Sequence, residues 1–502
     1  MHTRTRNAYL NIFTSLLLQL ITAVIGLILP RLIIMSYGSA VNGLVSSITQ
    51  FLSYISLLEA GVGGVITAAL YKPLAKNDKD SLQGIIKSAK SFYRKIGEIF
   101  LIYIVGLMFV YPYIVKDKFD YAYVAALIVI LSISTFLQYF FSLAYINLLS
   151  ADQKLWVSNV INSITLVINL FISNTLINMH FSIHVVKFYS CLIFALKPLF
   201  YYIYVKKHYG FQKKKSIQKI AITQKWNGLA HHIAYFIHNN TDVVVITLFL
   251  GVTEVSVYSV YFAVVTGIQR IVTSISSGSA AGIGNLIVSD DKERLNKVVD
   301  EFEFAQFAAT TILYTITAIM IIPFVKVYTK GITDVNYIRP WFAYIMIIAY
   351  AFYCIRTIYS TITLNAGHYK QTQMGAILEA LSNIIISILL VIRIGTVGVV
   401  IGTMIAMILR CLYDVIYLKN NIIYRNIIKF SKALLINGIA SALSILACNL
   451  LFNYDIGTWG NWAIKGALTG VVVVLVCFGT YSLLCRKQMK SAVQRLILHE
   501  SR

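Results

Sequence analysis

The sequence predicts an all-α integral membrane protein with about 14 transmembrane helices, each of about 20 mostly apolar residues. Three observations lead to this class: apolar segments of that length recur along nearly the whole chain, 58% of its 502 residues are hydrophobic, and only 13% are charged. No backbone polar group can stay unpaired in hydrocarbon, which is why the segments must be helical. Soluble proteins carry about 25% charged residues, so a soluble globular protein is excluded.

The predicted spans follow one another without a large polar insertion. Their centres are Ile21, Leu57, Val105, Leu131, Leu166, Leu192, Tyr235, Ile271, Tyr314, Ala351, Ile384, Met407, Ser444 and Val473. The first apolar stretch is too long for a cleaved signal peptide, so we expect it to remain as the first helix.

Basic residues set the predicted orientation. The formal net charge is +23, and most Lys and Arg residues occupy every second gap between the spans instead of one stripe, which argues against nucleic-acid binding. The dense clusters lie in Lys72–Lys95, Lys206–Lys225, Lys419–Lys432 and Arg486–Arg495. By the positive-inside rule these gaps are cytoplasmic. We therefore expect a multi-pass protein of a bacterial cytoplasmic membrane with both termini in the cytoplasm; the opposite loops are short, with scattered cations such as Lys187.

One predicted cytoplasmic segment has an amphipathic pattern. Ser81–Phe92 places Leu82, Ile85, Ile86 and Ala89 at helical spacing. Such a segment predicts a helix lying in the membrane interface, with a solvated connector as the alternative.

The two halves of the chain show weak self-similarity. Residues 34–41 and 248–254 each place a glycine, Gly38 or Gly251, in a tight turn between two helices, and residues 150–154 match residues 366–370 as a second pair of turns. Repeats of this sort are frequent in transporters. They predict two six-helix lobes related by a pseudo-two-fold axis along the membrane normal, the N-lobe 1–210 and the C-lobe 222–425. Two extra C-terminal helices and a basic tail follow in 426–502.

The first helical hairpin resembles a known family. Pro30–Gly38 followed by Val41–Leu44, together with Glu59–Gly64, is similar to polysaccharide repeat-unit flippases of the multidrug/oligosaccharidyl-lipid/polysaccharide exporter superfamily. The resemblance implies translocation of undecaprenyl-diphosphate-linked oligosaccharide by alternating access between two lobes, for capsule, exopolysaccharide or O-antigen synthesis. It implies no covalent chemistry. The expected partners are this cargo, membrane lipid, Na⁺ or H⁺ and a polysaccharide polymerase complex, with no cofactor and no nucleic acid.

Three other functions stay open at this stage. A drug/cation antiporter of the same superfamily is the nearest, although several central cations argue against it. A membrane glycosyltransferase or polymerase is disfavoured by the short outer loops, and a scaffold for polysaccharide assembly is the third. The chain has no GxxxxGK[ST] phosphate-binding loop, so ATP is not expected to be the direct driver.

Cations within the apolar spans are the first candidate functional residues, because a charge at membrane depth costs about 2.5–3.5 kcal/mol on insertion scales. Arg31, Lys197, Arg270 and Arg356 are predicted to line a substrate cavity. A guanidinium group binds the oxygens of a diphosphate in a bidentate fork. The alternatives are ion pairs with acids on neighbouring helices for Lys197, Arg270 and Arg356, and snorkelling to the interface for Arg31.

Acidic residues within the spans are candidates for ion coupling. Glu59 comes just before a glycine-rich segment, and Asp242 follows the polar run His238–Asn240. A carboxylate in either place could bind Na⁺ or a proton and couple transport to an ion gradient. Polar cavity lining without coupling and hydrogen bonding between helices are the alternatives.

The remaining polar residues in the spans are not predicted to have a role in binding or coupling. Arg410 and Asp414 are four residues apart on one helical face, a spacing that predicts a structural ion pair. No metal site is predicted, because His231 and His232 are adjacent and point apart, and His238 lies about two turns further on.

Overall fold

The computed structural model describes residues 2–59, 61–210, 229–288, 292–423, 426–452, 457–486 and 488–489. Within these ranges thirteen helices are long and apolar enough to cross a membrane. The seventh predicted span, centred on Tyr235, coincides with the helix Leu229–Leu250, whose described apolar stretch is Asn240–Leu250. The predicted all-α membrane class is therefore confirmed.

The chain folds as two compact units. Unit 1 comprises Met1–Phe236 and Leu250–Ser256, and unit 2 comprises Ile237–Phe249 and Val257–Arg502. The lobe boundaries predicted from the sequence stay a prediction, and the basic linker Lys206–Lys225 lies mostly outside the described residues.

Unit 1 contains the first eight α-helices. They are α1 (His2–Tyr37), α2 (Ser39–Ser53), α3 (Val62–Lys76), α4 (Lys79–Ile114), α5 (Tyr121–Leu137), α6 (Leu143–Ala151), α7 (Leu155–Asn178) and α8 (Ile183–Tyr209). Their buried side chains form one core of aliphatic and aromatic residues, with Tyr93, Phe100 and Tyr111 fully buried.

The second predicted span is broken within unit 1. After α2 the chain continues as a 3-10 helix, Tyr54–Glu59, and α3 begins beyond Gly61, whose φ of 78° lies in the left-handed region. Glycine adopts this conformation without steric cost, so the glycine-rich sequence permits the break. Irregular backbone at membrane depth is tolerated only where protein or a polar cavity surrounds it.

The amphipathic segment Ser81–Phe92 is part of α4 and does not form a separate helix. Asp78 caps α4, its Oδ1 accepting a hydrogen bond from Ser81 N at 3.0 Å, and this contact lowers the pKa of the carboxyl. Leu82, Ile85 and Ile86 are buried in the core of unit 1. The expectation of an interfacial helix is therefore wrong, because the apolar face packs on protein.

The fourth predicted span contains a π-helical turn. Helices α5 and α6 are joined without interruption by Gln138–Ser142, in which the hydrogen bonds reach one residue further than in an α-helix. Such π-bulges are rare and are frequent at functional sites. The turn contacts α4, α5, α6 and α8, and it buries Tyr139 and Ser142 within unit 1.

The remaining helices belong wholly or mostly to unit 2. They are α9 (Leu229–Leu250), α10 (Val252–Val288), α11 (Lys292–Tyr328), α12 (Pro340–Asn365), α13 (Gln373–Ile394), α14 (Thr396–Asn421), α15 (Ile427–Leu451) and α16 (Trp459–Leu484). The last two pack on each other and on α11 through small buried residues that include Ala440, Val473 and Cys477.

The turns predicted from the internal repeat are present. Gly38 separates α1 from α2 and Gly251 separates α9 from α10, each with a φ of 86°. Asn42 on α2 donates a hydrogen bond to Ser256 Oγ on α10 at 2.8 Å, within unit 1. The segments that follow the two matching turns therefore contact each other.

Gly43 is the position where this contact is closest. A methyl group built on Gly43 would lie 1.7 Å from the backbone oxygen of Val252. Because a backbone atom cannot rotate away, we expect Gly43→Ala to lower the free energy of unfolding by about 1–3 kcal/mol. Thermal unfolding of the purified protein in detergent measures the change.

The matched control is Gly26→Ala on α1, where the added methyl group meets no atom within 4 Å. Alanine is favoured over glycine in a helix by about 0.5–1 kcal/mol, so this variant should unfold at the wild-type temperature or above it. Equal melting temperatures for the two variants would contradict the close approach of α2 and α10.

Candidate functional site

Four charged side chains meet where α12, α13 and α14 pack together in unit 2. Arg356 Nη1 lies 2.9 Å from Glu379 Oε2, and Arg410 Nε lies 3.1 Å from Asp414 Oδ1 and 3.8 Å from Glu379 Oε2. The four side chains are 1–12% exposed. We call these four residues the arginine–carboxylate network. It contains two cations and two anions, so its net charge is zero.

Glycines bring the helices of this network close. A methyl group on Gly402 of α14 would lie 2.2 Å from Ser387 Oγ on α13, and one on Gly375 of α13 would lie 2.4 Å from the ring of Tyr413 on α14. Small residues of this kind let helix backbones approach each other in membranes. The close approach places Glu379 between both arginines.

The network changes the interpretation of Arg356. Its guanidinium group is paired with Glu379 and lies over the ring of Tyr353, 5.0 Å from the centroid. The structure thus favours the ion-pair alternative, with Glu379 on the neighbouring helix α13 as the partner. Arg410 and Asp414 form the ion pair that their spacing predicts.

A second polar site in unit 2 surrounds Asp242 on α9. The Asp242 carboxylate is 1% exposed and accepts hydrogen bonds from Thr403 Oγ1 at 2.9 and 3.0 Å and from Tyr258 Oη at 3.0 Å. Asn383 on α13 donates to Thr403 Oγ1 at 3.0 Å, while Asn383 Oδ1 is buried without a hydrogen-bond partner. We call these four residues the Asp242 cluster.

The Asp242 cluster is rich in oxygen atoms. It combines a carboxylate, two hydroxyl groups and an amide oxygen, and the backbone oxygen of Val399 lies 3.2 Å from Thr403 Oγ1. Oxygen atoms of these types are the ligands that hard cations prefer. Among the described residues the hydrogen-bond donors to the Asp242 carboxylate are the hydroxyl groups of Thr403 and Tyr258, so the carboxylate is held by neutral donors.

A third polar site lies in unit 1 at the break between α2 and α3. Glu59 Oε2 accepts a hydrogen bond from Tyr139 Oη of the π-helical turn at 3.2 Å. Asn147 Nδ2 donates a hydrogen bond to Tyr93 Oη at 2.7 Å. Both side chains lie next to Gly63, and a methyl group built on Gly63 would lie 3.8 Å from Glu59 Oε1. Glu59 therefore contacts the hydroxyl group of Tyr139, which can hydrogen-bond either its charged or its protonated form.

The predicted cation Lys197 lines a cavity inside unit 1. The cavity has a volume of about 160 Å³ and is bounded by α5, the π-helical turn and helices α6, α7 and α8. Lys197 Nζ lies 4.5 Å from the centroid of the Phe194 ring. Lys187, expected in an outer loop, is instead the fifth residue of α8 and is buried.

The other two predicted cations are not part of these sites. Arg31 is half-buried on α1. Arg270 is exposed on α10, and no ion pair of its side chain occurs within the described residues. His231, His232 and His238 lie outside the described side chains, and no group of three metal-binding residues occurs among the side chains that are described.

Sequence reasoning missed several partners. Glu379 was visible as an acid in an apolar span, but nothing assigned it to Arg356. Thr403 and Tyr139 had no distinguishing signal, because hydroxyl groups are common on membrane helices and bond to their own backbone.

The network gives a stability prediction. Glu379→Gln leaves two buried arginines with one carboxylate, so we expect it to lower the free energy of unfolding by about 3–5 kcal/mol, as breaking a buried ion pair does. Thermal unfolding in detergent measures this loss.

The control breaks an exposed pair on α4, in which Arg94 Nε lies 3.4 Å from Glu98 Oε1. Because exposed pairs contribute at most about 1 kcal/mol, Glu98→Gln should leave the melting temperature nearly unchanged. A wild-type melting temperature for Glu379→Gln would show that the network does not stabilise unit 2.

Comparison with known proteins relates this architecture to transporters. No family model matches the chain, and no curated protein matches it in sequence. A solved structure of the lipid II flippase MurJ, in an inward closed conformation, is similar with a TM-score of 0.65 and 16% identity, over 95% of this chain and 99% of that chain.

Two multidrug transporter structures are also similar. An inward-facing multidrug resistance MATE family transporter of the MOP superfamily gives a TM-score of 0.56 and 13% identity, over 80% of this chain and 94% of that chain. An Asp-to-Asn mutant of the Vibrio cholerae MATE transporter VcmN gives 0.57 and 13%, over 84% of this chain and 100% of that chain. The chain therefore has the fold of MurJ and of the MATE transporters, and the fold that the predicted resemblance implies is confirmed.

Proposed function

We propose that this chain is a flippase that moves undecaprenyl-diphosphate-linked oligosaccharide repeat units across a bacterial cytoplasmic membrane. The observation that supports it most is the match to a lipid II flippase from end to end, over 95% of this chain and 99% of that one. The MATE structures cover 80–84% of this chain. A lipid cargo is therefore the better choice, with capsule, exopolysaccharide or O-antigen synthesis as the purpose and a polymerase as the partner that consumes the product.

The cations within the membrane-spanning helices supply a physical reason for this cargo. A diphosphate carries negative charge through the hydrocarbon region, where the protein must replace the lost hydration with fixed donors. Arg31, Lys197 and Arg270 are the cations that we assign to the cargo. Arg356 is paired with Glu379, so we assign it to stabilising the fold of unit 2. Alternating access between the two lobes, with both termini in the cytoplasm, is the proposed cycle.

The Asp242 cluster is the proposed coupling site for Na⁺ or H⁺. Thr403 Oγ1 is within reach of both the Asp242 carboxylate and the Val399 carbonyl. When a cation enters, the hydroxyl proton can turn to Val399, so that an oxygen lone pair of Thr403 and the carboxylate both face the ion. Asn383 Oδ1, which has no hydrogen-bond partner, would supply another ligand. Glu59 is a second proposed ion-coupling residue, in unit 1.

A cation-coupled drug antiporter is the second candidate function. It is favoured by the similarity to MATE transporters and by the same Asp242 cluster. The choice between the two rests on the cargo that the protein moves.

Transport in proteoliposomes tests the flippase. The purified protein should move a fluorescent polyprenyl-diphosphate oligosaccharide between leaflets faster than empty liposomes do, as measured by quenching with a membrane-impermeant reductant. Arg270→Ala removes a guanidinium group that has no ion pair among the described residues, and we expect it to lower the rate about tenfold or more, equivalent to about 1.4 kcal/mol.

Arg393→Ala is the matched control, because Arg393 is also exposed but lies in the last turn of α13. It should transport at the wild-type rate. Transport of a cationic drug but of no lipid-linked oligosaccharide would replace the flippase with the antiporter.

Ion dependence tests the coupling site. We expect the wild-type rate to change about fivefold or more with an Na⁺ or H⁺ gradient, a usual size for coupling between two ligands. Asp242→Asn and Thr403→Val should transport at one rate whatever the gradient, because each removes a ligand of the ion.

The control is Thr361→Val on α12, whose hydroxyl bonds to the Thr357 carbonyl of its own helix at 2.7 Å. This variant should keep the wild-type ion response. If Asp242→Asn also keeps that response, the ion binds elsewhere.

A further inference from the structure

The cavity around Lys197 is a polar chamber whose lining residues all belong to unit 1. Its lining residues come from four helices and the π-helical turn: Ser134, Gln138, Ser142, Ile146, Asn162, Phe194, Lys197, Pro198 and Tyr201. Its volume of about 160 Å³ is roughly ten times the ~10–15 Å³ that one water molecule requires. It can therefore hold a polyatomic group.

Lys197 lies at membrane depth, and no ion pair of its side chain occurs among the described residues. It lies near the middle of the 27-residue helix α8, which is about 40 Å long at 1.5 Å per residue. Among the described residues its ammonium group makes no hydrogen bond or ion pair, and its contact with the Phe194 ring at 4.5 Å is worth about 0.5–2 kcal/mol. A lysine at mid-membrane costs about 2.5–3.5 kcal/mol, which is more than the contact with the Phe194 ring contributes. An anion next to Lys197 would offset the remaining cost.

The other polar groups of the cavity are suited to an anion. Ser142 Oγ is buried without a hydrogen-bond partner, and Ser142 is 2% exposed. Ser134, Gln138 and Asn162 add a hydroxyl and two amide groups that can donate hydrogen bonds. No Asp or Glu occurs among the described residues that line the cavity. A single positive charge together with neutral hydrogen-bond donors is suited to binding phosphate oxygens. In such sites the lysine ammonium group acts as a point charge.

An apolar side chain is exposed beside the cavity. Phe141 belongs to the same π-helical turn as the lining residues Gln138 and Ser142, and it is 52% exposed. Gln138 is itself exposed, so the chamber opens at the surface of this turn. A phosphate carried on a hydrocarbon chain could place its head group in the chamber and its chain against Phe141.

We propose that the Lys197 cavity binds the phosphate group of a membrane lipid, with Lys197 as the counter-charge and Ser142 as a buried hydrogen-bond donor. The lipid is either an isoprenoid diphosphate, which rests on the proposed function, or a resident phospholipid. Both lipids carry a phosphate group. Its negative charge would balance Lys197, which has no carboxylate partner among the described residues. A cavity that holds only water is the competing account.

Binding to the purified full-length protein tests the proposal without a transport assay, so it does not depend on the flippase being right. Farnesyl diphosphate, a short-chain phosphatidylglycerol and inorganic phosphate are the three probes, measured by calorimetry and by native mass spectrometry. We expect at least one of the two lipids to bind. Lys197→Gln should weaken that binding about tenfold, which is about 1.4 kcal/mol.

Two further variants keep the test valid if Lys197→Gln does not fold. Gln138→Glu is nearly isosteric and places a carboxylate in the cavity, where it would pair with Lys197 and exclude phosphate. Ser142→Ala removes the buried hydroxyl, and both should weaken binding. Lys206→Gln is the matched control, because Lys206 is an exposed lysine in the last turn of the same helix and should bind like wild type.

The probes separate the two sources of phosphate. Variant-sensitive binding of farnesyl diphosphate alone assigns the cavity to an isoprenoid cargo, and variant-sensitive binding of phosphatidylglycerol assigns it to a resident phospholipid. Binding of inorganic phosphate only, binding of no probe by the wild type, or equal affinities in the wild type, Lys197→Gln and Gln138→Glu would overturn the proposal.

Discussion

The need to satisfy every polar group inside hydrocarbon is the constraint on which the rest of this structure depends. A backbone amide or a charge that has no partner there costs several kcal/mol. The chain meets this constraint with long α-helices almost everywhere and departs from them at few places. Two of these departures, the break at Gly61 and the π-helical turn at Gln138–Ser142, bring their polar side chains together at Glu59 and Tyr139.

The polar sites solve the same problem in different ways. The arginine–carboxylate network is neutral as a whole, so its charges are balanced within the protein, and it ties α12 to α13 and α14. The Asp242 cluster holds an acid with neutral donors, and the Lys197 cavity holds a base with neutral donors. A charge balanced within the protein is suited to a structural role. A charge held only by neutral groups is suited to an ion or ligand that comes and goes, which is why we assign function to the second kind.

Sequence predicted those features that depend on local spacing. The spans follow from the length of the apolar segments, the turns at Gly38 and Gly251 from glycine, and the Arg410–Asp414 contact from the i,i+4 geometry of one helix. The contact between Arg356 and Glu379 could not be predicted, because it depends on how α12 and α13 are rotated about their axes. A helix that is apolar on all sides does not reveal that rotation. For the same reason the apolar face of Ser81–Phe92 was assigned to the membrane surface, since a face that packs on protein has the same pattern.

The π-helical turn also has a consequence for comparing this chain with others. A π-bulge holds one residue more than an α-helical turn of the same rise, and each residue rotates an α-helix by about 100°. Removing one residue from Gln138–Ser142 would turn the whole of α6 by that angle and move Tyr145 and Leu148, both now buried, to another side of the helix. A homologue whose helix is regular at this point must therefore carry a shifted apolar stripe downstream, and an alignment that ignores the extra residue would pair core positions of one chain with lipid-facing positions of the other.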